Sequence, residues 1–302
     1  MMYDIHQTTA YRYANAVPVA RHVVRMVPVE RALQRVIVSH VRVEPEPVEW
    51  TETRDFFGNS VLHIRIETPH TDFKVHTRAR VAVEPAPALD AEGSVTWEEV
   101  REMVASSRDL SAQSPVHHIY PSIAVPLSSP ITDWAKQSFA PDTPMLSAAI
   151  DLMNRIYDEF TYDPRATDVS TPALEAFNMR AGVCQDFAHI MIAGLRGLGL
   201  PAAYVSGFLR TEPPPGKERL QGADATHAWV AVWCGPEIGW QGLDPTNALL
   251  VSTDHVVLAV GRDYADVAPI GGVLLGSGGQ KLSVAVDVIP IDAVAQAKPL
   301  AE

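Results

Sequence analysis

Three residues in the second half of the chain have the side chains and the positions that thiol catalysis needs. Cys184 lies two residues after a glycine and begins a helical pattern in "AGVCQDFAHIM", His227 opens the apolar run "HAWVAVW", and Asp244 stands just before Pro245 in "GWQGLDP". A cysteine in the first turn of a helix faces unpaired N–H groups and the positive end of the helix dipole, which stabilise a thiolate. A histidine can then serve as base and acid, and a carboxylate can orient it.

The neighbours of Cys184 on its own helix cannot complete such a site. His189 lies about 140° and Asp186 about 200° around the helix axis from Cys184. The partner must therefore come from another element. If the strands holding His227 and Asp244 pair antiparallel through the loop "CGPEIG", the start of the first lies beside the end of the second. This arrangement predicts catalytic roles for Cys184, His227 and Asp244.

Structural roles are the alternative for each of these residues. Free cysteine is often buried, and Cys184 shares an apolar stripe with Phe187, Met191 and Leu195. A histidine at a strand start is commonly structural, and Asp before Pro is a common turn device. The three together, each at a suitable end of its element, favour catalysis. A redox-sensing pair of Cys184 and Cys234 is a further alternative.

Composition narrows the class of protein. The 302 residues carry 24 basic and 36 acidic side chains, a net charge of −12, which argues against a nucleic-acid partner. Apolar runs fall short of the roughly 18–20 residues of a membrane span, and the N-terminal residues do not resemble a signal peptide. Two cysteines cannot form a disulfide framework. We therefore expect a cytoplasmic protein without a membrane partner; its oligomeric state stays open.

The pattern of elements predicts an α+β fold in three segments. Residues 1–88 read as short strands with frequent turns, typical of an antiparallel β-sandwich domain. Residues 89–144 form a helical and irregular connection, with a capping box expected at Thr96 and Glu99. Residues 145–302 begin with an amphipathic helix, continue with the Cys184 helix, and then form strands "AAYVSGFL", "THAWVAVW" and "GWQGLDP", with further strands at the end.

The motifs resemble the transglutaminase-like superfamily, whose core is a papain-like cysteine-hydrolase fold. The resemblance rests on "MRAGVCQDFAHIMIAGLRGLGLPAAYVSGFL", "ATHAWVAVW" and "GWQGLDPTN", and it extends to "YDIHQTTAYRYANAV", "DFFGNSV" and "AVGRDYADVAPIGGV". The N-terminal stretch is similar to the β-rich domain of bacterial transglutaminase-like proteins, including those of the cysteine-protease type. The resemblance implies Cys184 as nucleophile, His227 as base and Asp244 as orienting acid.

We therefore expect a thiol hydrolase that cleaves amide bonds of a protein or peptide through a thioester, with no cofactor and no metal. Amine transfer by the same residues, as in a transglutaminase, and a non-catalytic binding or scaffold module are the alternatives. The Cys184 N–H is a natural oxyanion donor, and Tyr162 is a possible second one. Residues 211–225, just before His227, are either a flap over the site or a plain solvated loop.

Overall fold

The N-terminal half of the protein is an antiparallel β-sandwich. The computed structural model describes residues 1–87, 90–211, 225–276 and 278–291. Side chains of the first strand alternate between buried and partly exposed positions over Met2–Ala10, as one packed face requires. The first six strands are β1 (Met2–Val17), β2 (Val19–Val24), β3 (Gln34–Glu44), β4 (Glu49–Arg54), β5 (Ser60–Ile66) and β6 (His70–Val83).

Helices dominate the next part of the chain. The capping box predicted at Thr96 and Glu99 is present at the start of the first helix. Two short 3₁₀ turns, Pro115–His118 and Lys136–Ser138, flank the second helix. The elements are α1 (Trp97–Ser106), α2 (Ser129–Ala135), α3 (Met145–Glu159), β7 (Thr161–Tyr162), α4 (Ala173–Met179), β8 (Ala181–Gly182) and α5 (Cys184–Gly197).

A five-stranded antiparallel sheet follows α5. The left-handed backbone of Gly199, with φ of +78°, ends the helix and returns the chain into the first strand of this sheet. The remaining elements are β9 (Ala202–Leu209), β10 (Ala225–Trp233), β11 (Trp240–Asp244), β12 (Leu249–Leu250), β13 (His255–Gly261), α6 (Tyr264–Val267), β14 (Ile270–Leu275) and β15 (Gln280–Pro290). The spatial order of the five-stranded sheet is β12, β11, β10, β9, β13.

The helix α5 lies at the centre of the C-terminal half. It packs on β9 and β10 on one side and against α2, α3 and α4 on the other. Every residue from Asp186 to Arg196 is consequently buried. The expected fold class, a helix on an antiparallel sheet preceded by a β-sandwich domain, is confirmed. Within the described ranges, no helix combines the length and apolar character needed to cross a bilayer.

The last two strands differ from the expectation that residues 145–302 form one core. Strand β14 pairs with β2, and β15 pairs with β1, so both complete the N-terminal sheets. The resulting sheets have the orders β15, β1, β6, β3 and β14, β2, β5, β4. The predicted connecting segment 89–144 also contributes to the main core, where Trp97, Val100 and Ile131 are buried. Pairing partners this distant in sequence leave no local pattern.

A shared apolar cluster joins the two halves. It unites Tyr3 and Ile5 of β1 with Phe208 of β9 and with Val256 and Leu258 of β13. These side chains are all essentially buried. The sandwich therefore packs directly on the edge of the sheet that follows α5.

Candidate active site

Cys184 is the first residue of α5, as the sequence predicts. The short parallel pair of β7 and β8 delivers the chain to this point, with Tyr162 opposite Gly182. A side chain at Gly182 would come within 2.6 Å of the Asp186 carboxylate, so the chain needs glycine there for its close approach to the helix. Cys184 is a free, partly exposed cysteine. It thus combines access to solvent with the electropositive end of a buried helix.

Asp186 has a local structural role and does not face His227. Its Oδ2 accepts the Val183 N–H at 2.8 Å and the Thr167 hydroxyl at 2.6 Å. Burial raises the pKa of the Asp186 carboxyl, and these two hydrogen bonds oppose the rise. The carboxylate therefore caps the first turn of α5 and ties the 161–172 segment to it. This placement agrees with the position of Asp186 about 200° around the helix axis from Cys184.

His227 occupies the place expected for the base. Strand β10 pairs antiparallel with β9 and β11, which brings the start of β10 beside the end of β11. His227 Nε2 lies 2.7 Å from Asp244 Oδ2, and the Cys184 thiol lies close enough to the imidazole to raise its pKa. Because Nε2 is engaged by Asp244, Nδ1 is the ring nitrogen left for the thiol. The structure thus brings the three residues together in the order Cys184, His227, Asp244.

Asp244 is fully buried and receives hydrogen bonds on both oxygens. The Thr246 N–H donates to Oδ1 at 3.0 Å. The Asn247 amide donates to Oδ2 at 2.8 Å, and His255 Nε2 lies 3.3 Å from the same oxygen. A buried carboxylate with this set of donors is held ionised and in one rotamer.

The electrostatics of the pair follow from these contacts. Burial alone would lower the pKa of His227, but the hydrogen bond to Asp244 and the contact with Cys184 raise it to about 9. Burial alone would raise the pKa of Asp244, but hydrogen bonds from His227 and His255 hold it well below its usual range. The raised pKa favours the imidazolium form of His227 at neutral pH.

Sequence reasoning missed His255 and Asn247. Asn247 follows the "DPT" turn, and His255 opens the strand-like run "HVVLAVG", so the only available signal was a polar side chain at an element end. His255 Nδ1 accepts the Ser252 N–H at 3.4 Å, which leaves the ring proton on Nε2, pointing to Asp244. The ring of Trp229 lies 5.2 Å from that of His255, centroid to centroid, and encloses this side of the network.

The described residues include one compact set of potential metal ligands, His227, Asp244 and His255, whose ligand atoms lie within 4.8 Å of one another. A metal needs the unprotonated Nε2 lone pairs of both histidines. The hydrogen bond from Ser252 to His255 Nδ1 places the proton on Nε2 instead. The set therefore fits a hydrogen-bond network around a carboxylate better than a metal centre.

The other residues weighed from the sequence are placed differently. His189 is buried and accepts the Tyr264 N–H at 3.3 Å, away from Cys184. Cys234 is a buried free thiol at the far end of β10, seven residues beyond His227, or about 20 Å along a strand. A disulfide needs Cα atoms within about 7 Å, so the redox pair of Cys184 and Cys234 is not supported.

Tyr162 lies close to Cys184. Burial, with a smaller contribution from Cys184, raises the pKa of its phenol, which therefore stays protonated and able to donate a hydrogen bond. Its side chain is still 56% exposed. The residue pairs through its backbone with Gly182, so it forms one wall beside the thiol. Of the expected flap 211–225, residues 212–224 lie outside the described residues.

Comparisons with known proteins match both halves of the chain. Residues 3–82 match the bacterial transglutaminase-like N-terminal region, and residues 132–245, which include Cys184, His227 and Asp244, match the transglutaminase-like superfamily core. An uncharacterized protein of Mycobacterium tuberculosis is 36% identical over 297 residues, which cover 96% of this chain and 93% of that protein.

Two further relatives carry functional names. A protein-glutamine gamma-glutamyltransferase of Pseudomonas aeruginosa is 32% identical over 122 residues, 40% of this chain and 18% of that enzyme. A Cytophaga hutchinsonii protein described as a "putative cysteine protease" has a solved structure with a TM-score of 0.74 and 21% identity, covering 97% of this chain and 92% of that one. The matched regions and the fold show that the chain belongs to the transglutaminase-like superfamily.

Proposed function

We propose that the protein is a thiol hydrolase that cleaves amide bonds of a protein or peptide substrate through Cys184, His227 and Asp244. The observation that carries the proposal is the placement of the His227 imidazole between the Cys184 thiol and the buried Asp244 carboxylate, with Nε2 2.7 Å from Oδ2. A cysteine that served only in packing would have no need of an imidazolium beside it, and a buried ion pair is costly to keep.

The chemistry proceeds in two half-reactions. The Cys184 thiolate adds to the amide carbonyl, and the tetrahedral intermediate collapses as His227 gives its Nδ1 proton to the departing amine. A thioester on Cys184 and a free amine result. His227, now neutral, takes a proton from water as the water attacks the thioester, which releases the carboxylic acid and restores the thiolate–imidazolium pair. Asp244 keeps the ring oriented throughout and stabilises its charge.

The developing oxyanion needs donors near the thiol. The Cys184 N–H lies in the first turn of α5, where N–H groups have no partner within the helix. The protonated Tyr162 phenol is the second donor we assign, because it lies beside Cys184 on an exposed wall of the site. Both act where the dipole of α5 is positive.

Amine transfer is the second candidate, and the match to a protein-glutamine gamma-glutamyltransferase favours it. Transfer shares the first half-reaction and differs only in the nucleophile that resolves the thioester. Hydrolysis is the first choice because Cys184 is partly exposed, so water reaches the thioester without a dedicated binding site, whereas an amine needs one.

The test is to trap and then partition the thioester. Protein incubated with a peptide library and quenched in acid should carry an acyl group on the peptide that contains Cys184, as seen by mass spectrometry. We expect His227→Ala to slow turnover at least about a thousandfold. Cys234→Ala, a control at the other thiol, should turn over normally. Addition of a primary amine then separates the candidates: predominantly acid products support hydrolysis, and amide products support transfer. Turnover that survives Cys184→Ala would contradict both.

A further inference from the structure

The edge strand β13 of the five-stranded sheet is held by side chains of the N-terminal sandwich. Among the described strands it pairs with β9 alone, on one side. On its other side the Gln34 amide forms two hydrogen bonds with Val257, one to the carbonyl and one from the N–H, each of 2.8 Å. The Asn59 amide does the same with Val260, at 2.7 and 2.8 Å. Two side-chain amides thus pair with the strand as a further strand would.

Both amides are themselves fixed within the sandwich. Gln34 and Asn59 are buried, and Gln34 Nε2 also donates to the Val29 carbonyl at 2.8 Å. The Asn59 amide donates to Asp55 at 2.9 Å and accepts from Arg31 at 3.1 Å. Rigid donors and acceptors of this kind transmit the position of one part of the molecule to another.

The strand that they hold begins with His255. The residue before it, Asp254, accepts the Tyr3 hydroxyl of β1 at 2.8 Å and the Arg210 guanidinium at 2.8 Å. The start of β13 is therefore anchored to the sandwich through Tyr3, and its middle through Gln34 and Asn59. His255 itself reaches across the sheet to Asp244, with its side chain 1% exposed.

His255 is the donor to Asp244 that comes from a separate part of the sheet. Thr246 and Asn247 belong to the same turn as Asp244 and move with it. His255 lies on β13, and in the sheet order two strands, β10 and β9, separate β13 from β11. Only His255 among these three donors can therefore fix the carboxylate relative to the rest of the sheet and hence relative to His227.

We propose that His255 is a positioning residue that holds Asp244 toward His227. We further propose that the N-terminal sandwich sets the position of His255 through the hydrogen bonds of Gln34 and Asn59 with β13. The proposal rests on the proposed function for its catalytic consequence. The sandwich is then a working part of the active site, although it supplies no group that touches the substrate.

Substitutions at His255 test the first half of the proposal. His255→Leu removes the donor, His255→Gln keeps an N–H donor on a side chain of similar reach, and His118→Leu is a matched control. His118 is also buried, but its ring contacts Phe57 and Trp240 instead of the Asp244 network. The readouts are the rate of Cys184 alkylation by iodoacetamide across pH and, where a substrate is in hand, kcat separately from KM.

We expect His255→Leu to lower the alkylation rate below pH 8 and kcat by about ten- to a hundredfold, with KM nearly unchanged, as loss of a hydrogen bond to a charged group implies. His255→Gln should recover most of this loss, and His118→Leu should leave both rates near wild type. Wild-type rates in His255→Leu, or equal losses in His255→Leu and His118→Leu, overturn the positioning role.

A spectroscopic readout separates this proposal from the proposed function. Long-range ¹H–¹⁵N spectra of ¹⁵N-histidine-labelled protein should show His255 protonated on Nε2, with Nδ1 as the acceptor. The opposite tautomer overturns the proposal whether or not Cys184 reacts. If the tautomer is as expected but wild-type Cys184 shows no alkylation that depends on His227, the proposed function fails and the hydrogen bond to Asp244 stands.

The second half is tested at Gln34, with Gln7 as the matched control. Both are buried glutamines of the sandwich, but Gln7 bonds to Thr9 on its own strand. We expect Gln34→Leu to increase hydrogen exchange at the Val257 amide and to lower Cys184 alkylation severalfold, whereas Gln7→Leu leaves both unchanged. Faster exchange without any loss of alkylation would mean that the Gln34 hydrogen bonds only stabilise β13, and would overturn their role at the site.

Discussion

At the scale of single residues, the pKa of His227 is set by two opposing influences. His227 is nearly buried, which disfavours its charge, yet it lies between an ionised carboxylate and a thiol, which favour that charge. The second influence is larger, because Asp244 is fully buried and its field is not screened by water. A charged imidazole at neutral pH is the state that a thiolate partner requires.

The first prediction concerns the pH dependence of stability. The pKa of His227 rises from 6.5 to about 9 on folding, so its contribution is complete below pH 6.5 and is lost as pH rises through about 9. At about 1.36 kcal/mol for each pH unit, the loss amounts to up to about 3 kcal/mol. The free energy of unfolding of wild type, relative to His227→Gln, should fall by this amount between pH 6 and pH 10. Parallel pH profiles for the two proteins would contradict the raised pKa.

The second prediction concerns Gly207 of β9, against which the Trp229 ring packs. A Cβ at Gly207 would lie 2.1 Å from the Val256 carbonyl oxygen and 2.5 Å from the Trp229 ring. Gly207→Ala should therefore destabilise the protein by about 1–3 kcal/mol and disturb the side chains next to His227. Gly271→Ala is the control, since a Cβ at Gly271, also in a strand, meets nothing within 4 Å. Urea denaturation of both variants checks this; equal stability of the two variants would refute it.

The sequence allowed the prediction of Cys184, His227 and Asp244 because each stands at the end of a recognisable element. His255 and Asn247 could not be predicted. The hydrogen bond of His255 crosses two intervening strands, and no spacing rule connects the first residue of β13 to the last residue of β11.

At the scale of elements, the Cys184 helix is buried on nearly all sides. The sequence predicts one apolar stripe through Cys184, Phe187, Met191 and Leu195, but the polar Asp186 and His189 and the apolar residues off that stripe are buried as well. The helices α2, α3 and α4 cover these positions. The polar residues of α5 can be buried there because they have hydrogen-bond partners inside the protein. Asp186 caps the first turn, and His189 accepts a backbone N–H. In a sequence, a polar residue that is buried with a hydrogen-bond partner looks the same as a polar residue that faces solvent. Periodicity alone cannot distinguish these two cases.

Arg196, near the end of α5, gives the third prediction. Its guanidinium donates to the carbonyls of His118, Ala202 and Arg262 and to the Ser122 hydroxyl. Burial lowers its pKa to about 10, so it remains charged at neutral pH.

We expect Arg196→Met to cost at least about 3 kcal/mol in the free energy of unfolding, because three buried carbonyls lose their donor. Arg12→Ala should cost almost nothing, since the Arg12 side chain is 77% exposed. Denaturant titration of both variants measures the difference. A cost for Arg196→Met no greater than that for Arg12→Ala would show that the network does not stabilise the helix end.

At the scale of the whole molecule, the two halves share structure in both directions. Strands β14 and β15 return from the C-terminal half to the sandwich, and Tyr3, Phe208 and Val256 belong to one apolar cluster. The sequence predicts the β-rich start and the α+β core correctly, since these follow from local patterns. It could not show that the last strands complete the first sheets, because the partners of β15 lie more than 250 residues away.

The fourth prediction is that the chain unfolds as one cooperative unit. Breaking either half exposes the cluster shared by Tyr3, Phe208 and Val256 and leaves strands of the other half unpaired. Scanning calorimetry should show one transition whose calorimetric and van't Hoff enthalpies agree. Two separated transitions would mean that the sandwich and the core fold independently, and would weaken any role for the sandwich at the site.

Alkylation of the two thiols by iodoacetamide across pH, with mass mapping, tests whether Cys184 and His227 form a thiolate–imidazolium pair. Burial raises the pKa of Cys234 to about 12, so Cys234 serves as an internal control that should remain unmodified in the native protein. We predict that Cys184 is modified well below pH 8.5, the range of a free thiol, and that His227→Ala abolishes this reactivity. If Cys184 reacts no faster than an ordinary thiol, or reacts equally in His227→Ala, the thiolate–imidazolium pair does not exist and the proposed chemistry is wrong.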